Sequence, residues 1–512
     1  MYIEPLTDIR ILKNVPLDTT YNHTIYFTSV NEQSTYFLGL TKYNMSNYTY
    51  QRVKRGWARV GINSENLYDC NYMMFKNSAF GNKWFYAYIT SVEYINNQCS
   101  EIEFEIDVMQ TWFFDYEPDY CFVEREHSLT DNIGDNIIPE SLDCGEYVYN
   151  NYNFLTKLLE PLAVIVMVCD ETDQPDGTVY DGVYGGCTLF AYNLSDTEGI
   201  KSKINSYVQK PDAIVGMYMC PVVALEESIP DGGLKCQYQK ECATLPIELD
   251  PLSDDVTIDH YTPKNKKLYT YPYNFLNISC GQNSSIFRYE YFENLHAQFD
   301  INVPLTMPVQ VALRPKHYKG SGSLTLNSES LIMSDYPMCS WSTDSFKAWL
   351  AQNAIPFTNT WGALGVGTVA TLSGVAVPTA GLVGGAIAVA NMLGKGYMAS
   401  TIGDISKGSL SSGSINVASG KQNYWVGRAS INKQTAKCID DYFSMYGYAT
   451  NEVKIPNRNS RPHWNYVKTI DCTITGSVPC DDMKKICNIY NKGVTFWKYG
   501  SEVGNYSLDN TV

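Results

Sequence analysis

The acids Glu101, Glu103, Glu105 and Asp107 stand at every second position of EIEFEIDV, with Ile102, Phe104, Ile106 and Val108 between them. A β-strand turns such an alternation into one apolar face and one densely acidic face. The whole chain carries a net charge of −16, which argues against nucleic-acid binding by counterion release. An acidic wall would instead repel DNA and let it slide past. These four residues are therefore candidates for lining a passage, and an outward-facing acidic surface is the alternative. Carboxylate pairs also serve glycoside hydrolysis, which needs two acids roughly 5–10 Å apart in space and no fixed sequence spacing, so that chemistry stays open.

Other reactive constellations are weak. There is no P-loop, HExxH or GxSxG motif, and the six histidines form no closely spaced pair. Gly365, Gly367 and Ala370 match a dinucleotide fingerprint, but Pro356 to Thr360 before them do not read as a strand. Asp170, Asp173 and Asp176 miss the calcium-loop pattern and read as a solvated acidic turn. The fifteen cysteines contain no CxxC pair; Cys236 and Cys242 are nearest, followed by Cys472, Cys480 and Cys487. A zinc site or reactive thiol competes there with small buried hydrophobes in a reducing cytoplasm, and the second reading is favoured. No catalytic residue, metal ligand or cofactor is assigned. Forty tyrosines and nine tryptophans suit a carbohydrate-binding surface or subunit interfaces, of which interfaces are preferred.

The elements around these residues read as mainly β with some α. Lys83 to Ile89 is rich in aromatic strand formers, and Asn96-Asn97-Gln98 supplies a turn into the acidic strand, which predicts a long antiparallel hairpin. AVIVMV (Ala163 to Val168) suits a buried strand, with turn signals at Gln174 to Gly177 and at Gly185-Gly186. Ile286 to Phe292 alternates, and Val309 to Leu313 and Ser323 to Asn327 resemble further strands. Two short amphipathic helices follow: Lys433 to Tyr446 before Gly447, and Asp481 to Lys492 before Gly493, the second presenting Met483, Ile486, Cys487 and Tyr490. The expected organisation is a β domain at 1–150, a β-rich insertion at 151–345, an apolar loop with its tether at 346–420, and an α+β domain at 421–512.

The loop is the least ordinary stretch. From Ala348 to Gly394, 47 residues pass without an Asp, Glu, Lys or Arg. Its apolar positions are Trp361, Leu364, Val366, Val369, Leu372, Val375, Val377, Pro378, Leu382, Val383, Ile387, Val389, Met392 and Leu393. The length passes the test for a membrane span, but Ala, Gly and Val predominate over Leu, Ile and Phe, so insertion is marginal. Pro378 divides it into halves that as helices would each span roughly 24–26 Å, short of the roughly 30 Å hydrocarbon core. Gly381 and Gly385 have the spacing that lets two such backbones approach closely. A hairpin dipping into a bilayer, a buried plug and a low-complexity linker all remain open. Ser406 to Gly420 is a Gly/Ser-rich tether. MYIEPLTDIR is not followed by an apolar run, so no signal peptide is read, and the seven Asn-x-Ser/Thr matches carry no glycosylation meaning.

Both ends of the chain are recognisable. The run from Leu67 through KWFYAYIT, EFEIDVMQTW (Glu103 to Trp112) and FVEREH (Phe122 to His127) closely resembles the tail-knob, or distal tail-tube, proteins of small Bacillus-type podophages. So do NYVKTIDC (Asn465 to Cys472), GVTFW (Gly493 to Trp497) and GNYS (Gly504 to Ser507). The resemblance covers about residues 1–130 and 425–512; the middle matches poorly in detail, although that family carries a long Gly/Ala-rich apolar loop at the corresponding place. It implies a homohexameric β-rich tube at the virion tail tip, made in the host cytoplasm, joined to the proximal tail tube and passing phage DNA through its lumen. It further implies six apolar loops that plug the tube and later enter the host cell membrane as a channel. No catalytic mechanism comes with it. The competing classes are a tail-associated cell-wall hydrolase, a receptor- or sugar-binding tail protein, and an ordinary integral membrane protein.

Overall fold

The computed structural model describes residues 6–49, 56–78, 81–155, 159, 162–169, 188–207, 209–210, 213–225, 228–236, 243–253, 255–280, 283–305, 309–319, 330–334, 336, 338–341, 406–409 and 423–512. The chain divides into two compact units. The first comprises Met1–Gly145, His260–Pro272 and Asn432–Val512, and the second Glu146–Asp259 and Tyr273–Ile431. The boundary near the C-terminus therefore falls after the strand Trp425–Ile431, which pairs with Tyr147–Phe154 and Asn274–Ser279 inside the second unit.

Among the described residues, the first unit has an antiparallel sheet in the order Thr41–Thr49, Leu6–Lys13, Cys70–Lys76, Phe85–Asn96, Cys99–Ile106 and Trp57–Val60. Period-2 alternation supplies a core on each face. Ile9, Ile11, Met73, Ala87 and Ile102 pack on one side, while Leu12, Tyr72, Met74, Tyr86 and Tyr88 join the larger core on the other. The expected hairpin is present, closing through the pair Asn96 and Cys99. Its second strand stops at Ile106 rather than Val108, because Asp107 caps the short helix Val108–Thr111 by accepting the Gln110 N–H.

A second sheet gathers both ends of the chain. Its order is His23–Ile25, Val494–Trp497, Trp464–Ile470, Cys121–Glu126 and Tyr448–Lys454, parallel only in the first pair. The helix Lys433–Tyr446 starts at Asn432, whose side chain accepts the Thr435 N–H, and buries Ala436, Ile439 and Phe443. It ends at Gly447, φ +65°, where a Cβ would lie 2.1 Å from the Glu126 carbonyl oxygen. The helix Cys480–Lys492 has Asp481 and Asp482 in its first turn, favourable to the dipole, and buries Ile486, Ile489 and Tyr490. Met483 and Cys487 pack half-buried against the same core.

The segment His260–Pro272 enters this unit as a strap held by buried polar groups. Asp440 accepts hydrogen bonds from the Tyr261 hydroxyl at 2.7 Å, the Lys264 N–H at 2.8 Å, and the Asn265 N–H and Nδ2 at 3.0 and 2.7 Å. Lys267 Nζ reaches Glu140 at 2.5 Å, and Arg125 shares that carboxylate. Buried charges persist only when paired and hydrogen-bonded in this way, and removing one partner strands the other.

In the second unit Leu162–Val168 is buried at every position, with Thr188–Asn193 and Ile214–Pro221 beside it, as its continuous apolar run anticipated. Ala243–Glu248, Gln298–Val303, Val311–Lys316 and Leu331–Met333 form another antiparallel sheet. The stretch Ile286 to Phe292 is not one strand. Ser284–Phe287 pairs with Asn274–Ser279 only as far as Phe287, the Arg288 N–H turns to the Tyr318 hydroxyl at 3.2 Å, and Tyr289–Tyr291 closes a 3-10 turn. The turns at Gln174 to Gly177 and Gly185-Gly186, and the strand expected at Ser323 to Asn327, lie outside the described residues.

In the first unit, His127 links the strand Trp464–Ile470 to the helix Lys433–Tyr446 through its ring. Nδ1 accepts the Tyr466 N–H at 2.8 Å, so the proton sits on Nε2, which donates to the Ser444 carbonyl at 3.1 Å. Burial, and then the Arg461 guanidinium, push its pKa down to about 3. The unfolded ring binds a proton near pH 6.5, so this histidine's contribution to stability is complete above that value and is lost as pH falls toward 3. His127→Gln keeps a donor and an acceptor but cannot titrate. Denaturant unfolding between pH 4.5 and 6.5 is expected to give a wild-type slope steeper than the variant's by up to about 1.4 kcal/mol per pH unit; parallel slopes would place the proton elsewhere.

Candidate functional site

The acidic strand Cys99–Ile106 lies between Phe85–Asn96 and Trp57–Val60. Ser100 and Ile102 are buried on one face, and Glu101, Glu103 and Glu105 project from the other. Glu101 faces Glu93 on one neighbouring strand and Arg59 on the other, with a loose ion pair to Arg59 at 3.8 Å. Glu103 sits between Ser91 and Trp57, and exposed Glu105 pairs with Lys485 at 3.1 Å. Four carboxylates therefore meet two cations on this surface. Exposed pairs of this kind contribute little to stability, so the row matters mainly through its field.

Asp107 does not belong to the row. It is buried, accepts the Tyr72 hydroxyl at 2.8 Å and the Gln110 N–H at 3.1 Å, and its own N–H bonds the Tyr86 carbonyl. Burial raises its carboxyl pKa, against hydrogen bonds from Gln110, Tyr88 and Tyr72 that lower it. The alternation in the sequence is perfect through Asp107, but the strand ends one residue earlier, so the side chain becomes an interior cap and adds nothing to a surface field.

The thiols of Cys121, Cys472 and Cys487 converge, whereas Cys480 is exposed. Desolvation raises the pKa of all three, which favours the neutral thiol. Among the described residues no group of three or more His, Cys, Asp or Glu is arranged to hold a metal ion. Cys121 was not singled out by spacing, because it reaches the other two only through strand pairing. Cys242, the triplet Asp170, Asp173 and Asp176, and the fingerprint glycines Gly365 and Gly367 lie outside the described residues, as does the whole apolar stretch from Trp361 through Pro378 to Leu393. Among the described residues no helix is long and apolar enough to cross a membrane.

Comparison with known proteins agrees with this architecture. Residues 5–117 match the family of caudoviral major tail protein N-termini. The solved structure of the bacteriophage C1 tail knob protein, gp12, superposes with a TM-score of 0.59 over 99% of this chain and 100% of that one; at 16% identity it shows the fold. These findings define a β-rich fold shared with a phage tail knob. Residues 244–511, just over half of the chain, match the family of the C-terminal domain of the Bacillus phage phi29 tail knob protein gp9, and the chain belongs to that family. It is similar to the tail knob protein gp9 of Bacillus phage PZA at 26% identity and to that of phage phi29 at 25%, covering 98% of both chains in each case.

The two kinds of acid on one strand separate experimentally. Changing Glu101, Glu103 and Glu105 together to Lys is expected to leave a folded protein with unchanged circular dichroism. Asp107→Lys buries an unpaired cation among Tyr72, Tyr86 and Tyr88 and is expected to cost at least about 3–5 kcal/mol, read as a lowered denaturation midpoint or loss of soluble protein. A stable Asp107→Lys protein would return Asp107 to the surface row.

Proposed function

We propose that this chain is the tail-tip knob subunit of a Bacillus-type podophage: six copies close into a tube that passes DNA, with their apolar loops plugging it until they enter the host cell membrane. The observation that carries the reading is family membership combined with the 47 uncharged residues from Ala348 to Gly394. Similarity over nearly the full length to proteins named tail knob supports a structural role. Cyclic closure suits a chain whose copies must enclose a passage, since a heterologous interface that fails to close gives filaments. The partners of such a ring are the proximal tail tube, membrane lipids, and DNA that passes without specific binding. Glu101, Glu103 and Glu105 are the acids proposed to face the lumen, where a ring repeats each carboxylate by its subunit number and keeps a polyanion from adhering.

The apolar loop has two environments in this reading. Inside a tube the copies of Trp361 to Leu393 bury one another; once expelled they present a patch that proteins in water rarely tolerate. A bilayer is then the available sink, provided the backbone pairs internally. Val383→Asp at the bilayer centre would oppose insertion by roughly 3 kcal/mol per copy. Dye leakage from vesicles tests the reading: protein with the loop released is expected to permeabilise them, and protein with residues 361–393 replaced by a Gly/Ser linker is expected to assemble, by light scattering after gel filtration, without leakage. Equal leakage from the two would remove the membrane role, and a monomer at micromolar concentration would remove the ring.

A further inference from the structure

The chain passes between its two units at four points, where the second unit ends at Glu146, Asp259, Tyr273 and Ile431. Three of these lie side by side. Tyr147 stands opposite Ile431 in one ladder, and the Ile431 N–H donates to the Tyr273 carbonyl at 3.0 Å. At the fourth, Asp259 and His260 have φ of +45° and +63°, left-handed backbone that residues other than glycine rarely adopt. The strap His260–Pro272 runs from that point back to the other three. Its consecutive N–H groups at Lys264, Asn265 and Lys266 donate to Asp440, Asp440 and Asp131 at 2.8, 3.0 and 3.3 Å, and none of these three acceptors is a neighbouring strand. Lys267 Nζ donates to the Ile138 carbonyl at 2.9 Å as well as to Glu140. The strap brings three lysines, and its receptacle supplies three carboxylates.

We propose that the strap is a latch: shut, it ties the second unit to the first at a second place, and open, it leaves them joined only through the adjacent strands at Tyr147 and Ile431, about which they turn. Side-chain acceptors can let a segment go without breaking a sheet, so the strap opens locally while both units stay folded. Asp440 is the catch. It accepts the Tyr261 hydroxyl, the Lys264 and Asn265 N–H groups and Asn265 Nδ2, and without it those donors lose their partner. Leu268 and Tyr269 are buried, which makes the shut form the resting one. The left-handed pair Asp259 and His260 is a costly backbone that opening relaxes. At the remaining junction Gly145, φ +59°, adopts a conformation natural to glycine, and a hinge needs only a few such residues to absorb the change in backbone angles. No part of this depends on the tube or on the apolar loop.

The test is hydrogen exchange read by peptide mass spectrometry on the full chain, paired with lysine cross-linking. In Asp440→Ala, peptides covering 260–272 are expected to exchange at least about tenfold faster, while Trp464–Ile470 and Leu162–Val168 keep their protection. The same variant is expected to give cross-links between the two units that the wild type lacks, with those inside each unit retained. Unchanged strap protection, or an opened strap with unchanged cross-links, would overturn the proposal. The wild type provides a check that needs no variant: in mild denaturant the amides of Lys264, Asn265 and Lys266 are expected to exchange ahead of those in Trp464–Ile470. Exchange of the two groups in step would make the strap part of the core and remove the latch.

Discussion

The strand Cys121–Glu126 lies between Trp464–Ile470 and Tyr448–Lys454, and this pairing joins parts of the chain separated by the entire second unit. Much of the C-terminal part of the first unit is arranged around it. Trp464 and Trp497 pack at a tilt across the next ladder, the Lys433–Tyr446 helix ends where Gly447 passes against Glu126, and His127 extends the contact through its ring. Closing so long a loop costs entropy, but the cost grows only with the logarithm of loop length, each doubling adding about 0.6 kcal/mol. A fold closed in this way tolerates a large insertion, and the second unit and the uncharged stretch occupy that position in the chain.

The strap His260–Pro272 adds a second constraint of a different kind. It is held by directional bonds to Asp440 and by two cations that share Glu140, so its position is specified by chemistry that has no substitute. Apolar packing is tolerant of shape, whereas a buried carboxylate is satisfied only by donors placed around it. The strap thus enters the unit in one register.

Charge on the hairpin shows how position overrides residue type. Glu105 and Asp107 are two residues apart, yet one is exposed beside Lys485 and the other caps a helix under Tyr72. The first contributes to a field felt at a distance; the second contributes to folding and is silent outside. The cysteines divide in the same manner, with Cys480 in solvent and Cys487 turned toward Cys472 from the same helix.

Local pattern carried the β-rich class, the hairpin ending at Asn96, the buried run Ala163 to Val168 and both C-terminal helices with their glycine stops, because those features depend on neighbours within a few residues. The resemblance at the two ends was legible in the order and spacing of residues within each segment. Three things required the tertiary structure. Asp107 leaves the acidic face because the backbone turns helical under Tyr86; the stretch after Phe287 leaves its sheet because Tyr318 takes the Arg288 N–H; and Cys121 joins Cys472 and Cys487 through a strand ladder. Each is decided by a group far away in sequence, and no local pattern can encode a partner that only folding brings near.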